Sequence, residues 1–282
     1  VPSIPNDPPN RVGTLYQDLM AAVNSLQIIG SGDADQVTID DANGLPTFAG
    51  SPALAPDNIL VNDSPGIVFY GAGGANTLAF ALNAANTNQI YGIGGGTDGL
   101  ADNNAEMRTV NGLNALNVYG LNLNRTVRTG GSTGSLAVIA ESGNDSIVID
   151  AGVPASTTNI AAAGYAPLNF SGNNYSGITV FGMGGADTID LTNLGSGQSA
   201  ALAITLDGDT ADDTGTATNG DASADTLRVR ATGLSTGNVT LLGGDGDDIV
   251  EVGVGNTDGI LGQVVVLGEG GADSLTVNNS SS

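Results

Sequence analysis

One turn sequence recurs along the chain and limits the folds open to it. Its template is two apolar residues, Gly-x-Gly-Gly-x-Asp, and then an alternation of polar and apolar residues. Six copies follow it: QIIGSGDADQVTI (27–39), VFYGAGGANTLAF (68–80), AVIAESGNDSIVI (137–149), TVFGMGGADTIDL (179–191), TLLGGDGDDIVEV (240–252) and VVLGEGGADSLTV (265–277). A seventh copy is split between 203–209 and 224–229, and 90–96 resembles a decayed eighth. A chain that repeats one turn this often is expected to repeat one structural unit.

The acidic position of the template is called the slot here, and it lies five residues after the first turn position in each intact copy. The slot is filled by Asp35, Asn76, Asp145, Asp187, Asp248 and Asp273, and by Asp225 in the split copy. A slot aspartate has two open interpretations. It can bind a metal ion, or it can hydrogen-bond the backbone of its own turn, for which the amide of Asn76 would suffice.

The spacing of the turns predicts an all-β fold, a parallel β-helix or β-solenoid. Most turns lie one or two units of about 20–25 residues apart, which is typical of solenoid rungs. Glycine supplies the positive φ that corners need, and the alternating apolar residues would point inward. The alternative is an antiparallel β-sandwich in which each copy is a hairpin. Segments 97–112, 150–178 and 208–223 interrupt the period and are predicted as loops, and hidden rungs are predicted at 59–63 and 167–174.

The N-terminal segment differs from the repeats. Residues 1–10, VPSIPNDPPN, hold four prolines and predict an extended arm. Apolar residues at three- and four-residue steps predict one helix over 12–26. The predicted organisation is therefore an arm with a capping or junction helix over 1–26, and a β-solenoid domain over 27–282.

Composition excludes several classes of function. The net charge is −23, which disfavours nucleic acids and favours cations as partners. No apolar run is long enough to span a membrane. The chain has no Cys, His or Lys, so Ser-His-Asp, Cys-His and Schiff-base chemistry are excluded. A carboxylate pair remains, Asp187 with Asp190 or Asp248 with Glu251. Because such residues recur in the register, no enzyme is predicted.

The glycine–aspartate turns resemble the calcium-binding repeats of RTX proteins, whose unit is G-G-x-G-x-D-x-apolar-x. Residues 243–249, GGDGDDI, match it best, and 184–187 and 270–273 match in part. The resemblance implies an extracellular, calcium-stabilised β-roll or β-helix. Calcium takes six to eight oxygen ligands, and glycine turns expose carbonyls beside the carboxylates. The candidate calcium ligands are Asp245, Asp247, Asp248, Asp207, Asp209, Asp187 and Asp273.

The last repeat runs to Val277 and is followed only by polar residues, so no cap is predicted there. Either the chain is a piece of a longer repeat protein, or its open end receives the N-terminal end of another copy. A contact of the second kind builds filaments. Leu15, Tyr16 and Leu19 of the predicted helix, together with Val277, are the candidate self-assembly residues.

The hypothesis is a structural subunit of an extracellular filament or bacterial cell-surface layer, assembling head to tail with calcium. The alternative is a calcium-dependent adhesin that binds glycans or other surface proteins through its loops.

Overall fold

The computed structural model describes residues 26–42, 45, 66–82, 88–93, 105–111, 114–130, 134–140, 143–163, 165–171, 175–209 and 222–280. These residues form strands and turns and include no helix, which confirms the all-β class. The predicted arm and helix lie outside the described residues, except that Leu26 begins the first strand. No helix in the described part is long and apolar enough to cross a membrane.

Twenty strands follow one another along the described chain. They are β1 (Leu26–Ile29), β2 (Gln36–Asp40), β3 (Ile67–Tyr70), β4 (Thr77–Ala81), β5 (Asn88–Ile93), β6 (Ala105–Asn111), β7 (Asn114–Leu121), β8 (Arg125–Thr129), β9 (Ser135–Ile139), β10 (Ser146–Ala151), β11 (Thr157–Ala162), β12 (Leu168–Ser171), β13 (Gly177–Phe181), β14 (Thr188–Leu191), β15 (Ala203–Asp207), β16 (Thr226–Val229), β17 (Val239–Leu242), β18 (Ile249–Val252), β19 (Val264–Leu267) and β20 (Ser274–Val277).

The strands form two open sheets of ten. Sheet A has the order β1-β3-β7-β6-β5-β9-β13-β15-β17-β19, and sheet B has the order β2-β4-β8-β12-β11-β10-β14-β16-β18-β20. A layer is defined here as the two strands at the same place in the two orders. In layers 1, 2 and 6–10 the chain runs through one strand of sheet A, one turn and one strand of sheet B. Each of these turns contains one copy of the template.

Most neighbouring strands are parallel, and the exceptions lie in layers 3 to 6. In sheet A the chain passes β5, returns through β6 and turns again into β7, so these three strands pair antiparallel. In sheet B the strands β10, β11 and β12 do the same. Since antiparallel pairs are confined to these two insertions, the sandwich of hairpins is not the architecture.

Three strands lie in segments that the spacing predicts as loops. Strand β6 lies within 97–112, and β11 and β12 lie within 150–178. These segments have no template turn, so their strand character comes from pairing with the sheet rather than from a repeat. The predicted rung at 167–174 contains β12, which follows the returning strand β11 and pairs parallel with β8. Strand β1 pairs directly with β3, and the rung predicted at 59–63 lies outside the described residues.

The larger of two apolar clusters in the described residues lies between the sheets, and the smaller one consists of Ile90, Ala137, Ile139 and Phe181. In layer 7, Ile178 and Val180 of β13 and Ile189 and Leu191 of β14 are buried, and the residues between them face outward. The register places equivalent aliphatic residues directly above and below, for example Ile204 beside Ile178. The period of two along each strand therefore becomes continuous apolar columns, and each turn sits at the same edge of its layer.

Candidate functional site

The slot aspartates form a hydrogen-bonded ladder across the turns of layers 6 to 10. The backbone N–H of Asp145 donates to Oδ1 of Asp187 at 2.7 Å, and that of Asp187 donates to Oδ1 of Asp225 at 2.7 Å. Asp225 donates to Oδ1 of Asp248 at 2.8 Å, and Asp248 to Oδ1 of Asp273 at 3.1 Å. Each carboxylate thus satisfies a turn N–H of the preceding layer, which would be unpaired if the acceptor were missing.

The ladder continues in the N-terminal layers with amides. The N–H of Asp35 donates to Oδ1 of Asn76 at 3.1 Å, and that of Asn76 to Oδ1 of Asn124 at 2.7 Å. Asn124 is a slot residue that sequence reasoning missed. Its turn has only three residues between β7 and β8, so the five-residue spacing of the template is lost. The remaining signal is an Asn directly before the alternating strand Arg125–Thr129.

In most template turns the first position is a glycine, which makes room for the slot carboxylate, whereas Ala140 stands there in layer 6. A Cβ placed on Gly182 would lie 2.5 Å from Oδ2 of Asp187, and one on Gly30 would lie 2.7 Å from Oδ2 of Asp35. In layer 1 the same oxygen accepts the N–H of Ser31 at 2.6 Å. The template therefore pairs glycine with aspartate because the carboxylate packs onto the glycine Cα. A side chain at Gly182 or Gly30 would require the carboxylate or the turn to shift.

Among the candidate calcium ligands, Asp207 beside this ladder and Asp248 within it each bury one carboxylate oxygen that makes no hydrogen bond. These oxygens are Oδ2 of Asp207 and Oδ2 of Asp248. Burial raises the pKa of Asp207 to about 6, the N–H of Asp209 lowers it, and the charges of Asp209 and Glu269 raise it. Burial likewise raises the pKa of Asp248, against the hydrogen bond from Asp225. Deprotonating either group places a charge in a poorly solvated site.

Asp245 and Asp247, two further candidate ligands, are exposed at the outer side of their turn. Asp245 and Asp247 line an open groove of about 510 Å³, together with Ala222, Ala224, Gly246, Gly270 and Gly271. Oδ1 of Asp247 accepts the N–H of Ala272 at 2.8 Å. Asp209 packs against Gly244 of the next turn, while Asp187 and Asp273 belong to the ladder. Within the described ranges, no three acidic side chains converge on a geometry that could hold a metal ion.

In each of the two carboxylate pairs considered for acid–base chemistry, the two carboxylates bind different partners instead of facing a common site. Asp190 forms a bidentate ion pair with Arg230, with N–O distances of 2.7 to 2.9 Å. Glu251 forms an ion pair with Arg228 at 2.5 Å. Their proposed partners, Asp187 and Asp248, accept ladder bonds instead. The arrangement therefore ties each carboxylate to a structural contact.

An arginine that no sequence pattern predicts lies in the core beside the two insertions. Arg128 faces inward from β8, fully buried, between Phe80 and Phe170 of the neighbouring strands. Its guanidinium carbon lies 5.3 Å from the ring centroid of Tyr175. Burial lowers the pKa of Arg128, and the nearby charge of Asp41 raises it. The contact with the ring face is a cation–π interaction that offsets part of the desolvation.

The inward-facing side chains of β20 in the last layer are exposed, whereas the equivalent side chains of the preceding layer are buried. The inward residues Leu275 and Val277 of β20 are 55% and 62% exposed, whereas their register partners Val250 and Val252 are 1% and 8% exposed. β19 and β20 are also edge strands, each with a hydrogen-bonded neighbour on one side only among the described residues. Val277, a predicted self-assembly residue, lies on this surface. Leu15, Tyr16 and Leu19 fall outside the described residues.

No protein-family model, curated protein or solved structure matches this chain.

Proposed function

We propose that this chain is a non-enzymatic structural subunit of an extracellular filament or bacterial cell-surface layer, which assembles end to end and is stabilised by calcium. The exposed apolar surface of the last layer carries the proposal. Leu275 and Val277 belong to columns that are buried in every neighbouring layer, so one added layer would bury them. Exposed flat strand edges with apolar residues favour pairing with further strands.

The proposal includes a parallel β-solenoid as the architecture of the subunit. The alternation of the chain between two sheets, with one template turn in each of layers 1, 2 and 6–10, supports a parallel β-solenoid. In such a fold each layer needs only its neighbours, so a stack of copies has no size limit. The resemblance of the turns to RTX repeats supports an extracellular location and calcium. The absence of His, Cys and Lys from the sequence supports a structural role over an enzyme.

The test compares two lysine substitutions at side chains of equal exposure. Val277→Lys puts a charge into the proposed contact surface, while Leu234→Lys does so on a loop of layer 8; both side chains are 62% exposed. Sedimentation and negative-stain microscopy in millimolar calcium should show rods for the wild type and for Leu234→Lys, and monomers for Val277→Lys. A monomeric wild type at high concentration, or unimpaired polymers of Val277→Lys, would contradict the proposal.

A calcium-dependent adhesin is the second candidate, favoured by the groove lined by Asp245 and Asp247. Ala222, which lines this groove, belongs to the loop predicted over 208–223. The adhesin should remain monomeric and bind glycans in calcium. Replacing Asp245 and Asp247 by Asn should abolish that binding, whereas Val277→Lys should leave it unchanged.

A further inference from the structure

The first and last layers of the chain have complementary surfaces. We infer that β19 and β20 pair in parallel and in register with β1 and β2 of a second copy of this chain, with the aspartate ladder continuing across the joint. The inference rests on the proposed function, since it specifies the contact through which copies stack. Its support is a match of turn length, side-chain columns and hydrogen-bonding groups.

The turns of the two end layers have the same length. Gly30 to Asp35 and Gly268 to Asp273 both span five residue steps, unlike the shortened turn that ends at Asn124. Stacking the turns brings aliphatic residues together in four columns. The pairs are Val264 with Leu26, Val266 with Ile28, Leu275 with Val37, and Val277 with Ile39. The columns would continue with aliphatic residues, and Leu26, Ile28 and Val37 are partly exposed in one copy. Ile39 is already 5% exposed in one copy, so Val277 reaches it only if the groups that cover it move aside.

Three hydrogen bonds recur where one turn stacks on the next. Between layers 9 and 10, Gly243 N–H donates to Leu267 O at 2.9 Å, Ser274 N–H to Asp248 O at 2.8 Å, and Asp248 N–H to Asp273 Oδ1 at 3.1 Å. Between layers 1 and 2 the same three bonds recur. Gly30 N–H donates to Tyr70 O, Thr77 N–H to Asp35 O, and Asp35 N–H to Asn76 Oδ1. The pattern is thus a property of the stacked turn.

The two ends of the described chain each hold one half of this pattern. The last layer offers the N–H groups of Gly268 and Asp273 and the carbonyl of Asp273. The first layer offers the carbonyl of Ile29, Oδ1 of Asp35 and the N–H of Gln36. Within the described residues none of these six groups makes a bond between turns. A single register joins all three pairs, and a slip of one residue would place Leu275 and Val277 beside the outward-facing residues of β2.

The segment after β20 leaves this surface open. Asn278 N–H donates to Val252 O at 2.8 Å, and Thr257 N–H donates to Oδ1 of Asn279 at 3.3 Å. Both bonds hold residues 278 and 279 beside layer 9, on the side away from the exposed strand edge. A second copy can therefore approach β19 and β20 directly.

Cysteine pairs test the register, because the chain contains no native cysteine. In the inferred joint Thr276 lies beside Thr38 of the next copy, and both face outward. Their Cα atoms would be about 4.8 Å apart, within the disulfide range of about 4.4–6.8 Å. The test variant is Thr38→Cys with Thr276→Cys. The control, Thr38→Cys with Ser274→Cys, shifts one partner by two residues, to about 8 Å.

Oxidised samples are separated on non-reducing denaturing gels, and the oligomeric state of the wild type is measured by sedimentation. The in-register pair should give a ladder of covalent multimers, at least tenfold more than the control. The bonds must join different copies, because the two ends of one chain are about 43 Å apart. If the wild type forms polymers but the in-register pair gives less than a tenfold excess of covalent multimers over the control, the inferred joint is wrong. In that case β20 pairs in another register or with another protein, and the proposed function is unaffected. A wild type that stays monomeric, with neither pair cross-linking, would overturn the joint and the proposed function together.

Discussion

The slot residue supplies one oxygen atom that accepts the ladder hydrogen bond. A negative charge on that residue is not required for the bond. Asn76 accepts the N–H of Asp35 through an amide oxygen, in the same way that Asp187 accepts the N–H of Asp145 through a carboxylate. The turn interpretation of the slot is thereby modified, because the bond reaches the neighbouring layer rather than only its own turn. An ionised acceptor strengthens the bond, while burial weakens the ionised form.

Substitutions at Asp187 separate the oxygen from the charge. Asp187→Asn keeps Oδ1 and should change the free energy of unfolding by less than about 1 kcal/mol. Asp187→Ala leaves the N–H of Asp145 without its acceptor and should destabilise the protein by about 1–3 kcal/mol. Urea denaturation of both variants measures the difference. Equal losses for Asn and Ala would show that the charge, and not the oxygen, is what the slot needs.

The buried carboxyl of Asp207 predicts a specific dependence of stability on pH. Its pKa is raised from 3.8 to about 6 in the folded protein, so the folded state binds the proton more tightly than the unfolded state. The resulting stabilisation is fully present below pH 3.8 and is lost as the pH rises through about 6.

Asp207→Asn removes this titration and is the matched variant. Between pH 4.5 and 7 the wild type should lose about 1–3 kcal/mol more unfolding free energy than Asp207→Asn. Urea denaturation at a series of pH values measures the two profiles. Parallel profiles would mean that Asp207 does not titrate in this range.

At the scale of the element, the turn works because glycine and aspartate fit each other. A Cβ on Gly243 would lie 2.8 Å from the carbonyl oxygen of Gly268, and closer still to Oδ2 of Asp248. A Cβ on Gly177, which begins β13, would have only one neighbour, Ala203 O at 3.8 Å. The two glycines therefore differ in the space available, although both are in or next to sheet A.

Alanine substitutions at these two glycines should give different results. Gly243→Ala should destabilise the protein by about 1–3 kcal/mol, because the new methyl group displaces the carboxylate or the next turn. Gly177→Ala should stay within about 0.5 kcal/mol of the wild type. Thermal unfolding compares the two variants. A neutral Gly243→Ala would show that the turn relaxes without loss of the ladder.

The repeated turn let the sequence predict strands on both sides of each copy, the slot residues and the all-β class. The insertions were not predictable in this way, because β6 and β11 have no template turn. Whether an inserted strand pairs parallel or antiparallel depends on which sheet edge is available when the chain comes back to the sheet. That is decided by contacts between residues distant in sequence. Asn124 was missed because its turn is three residues shorter than that of Asn76. The sequence indicated a cluster of acidic residues at Asp245 and Asp247 but did not predict the groove that they line.

At the scale of the whole molecule, stacking places like charges at the same edge of successive layers. The net charge is −23, and the charges of Asp273, Asp247 and Glu269 contribute to the raised pKa of Asp248. Monovalent salt screens such repulsion between exposed charges, and a bound divalent cation would neutralise it locally. Specific calcium binding therefore predicts a larger stabilisation by calcium than by a monovalent salt at the same ionic strength, whereas screening alone predicts no difference.

Calcium should raise the melting temperature more than sodium chloride at the same ionic strength. A site with a dissociation constant of about 0.1–1 mM would add about 1.4–2.7 kcal/mol at 10 mM calcium, and so a rise of several degrees. Replacing Asp245 and Asp247 by Asn should remove the difference between the two salts. Replacing the exposed Asp33 and Asp258 by Asn removes the same charge elsewhere and should preserve it. If wild type and both variants respond equally to the two salts, the acidic turns act only through screened repulsion, and end-to-end assembly must be stable without calcium.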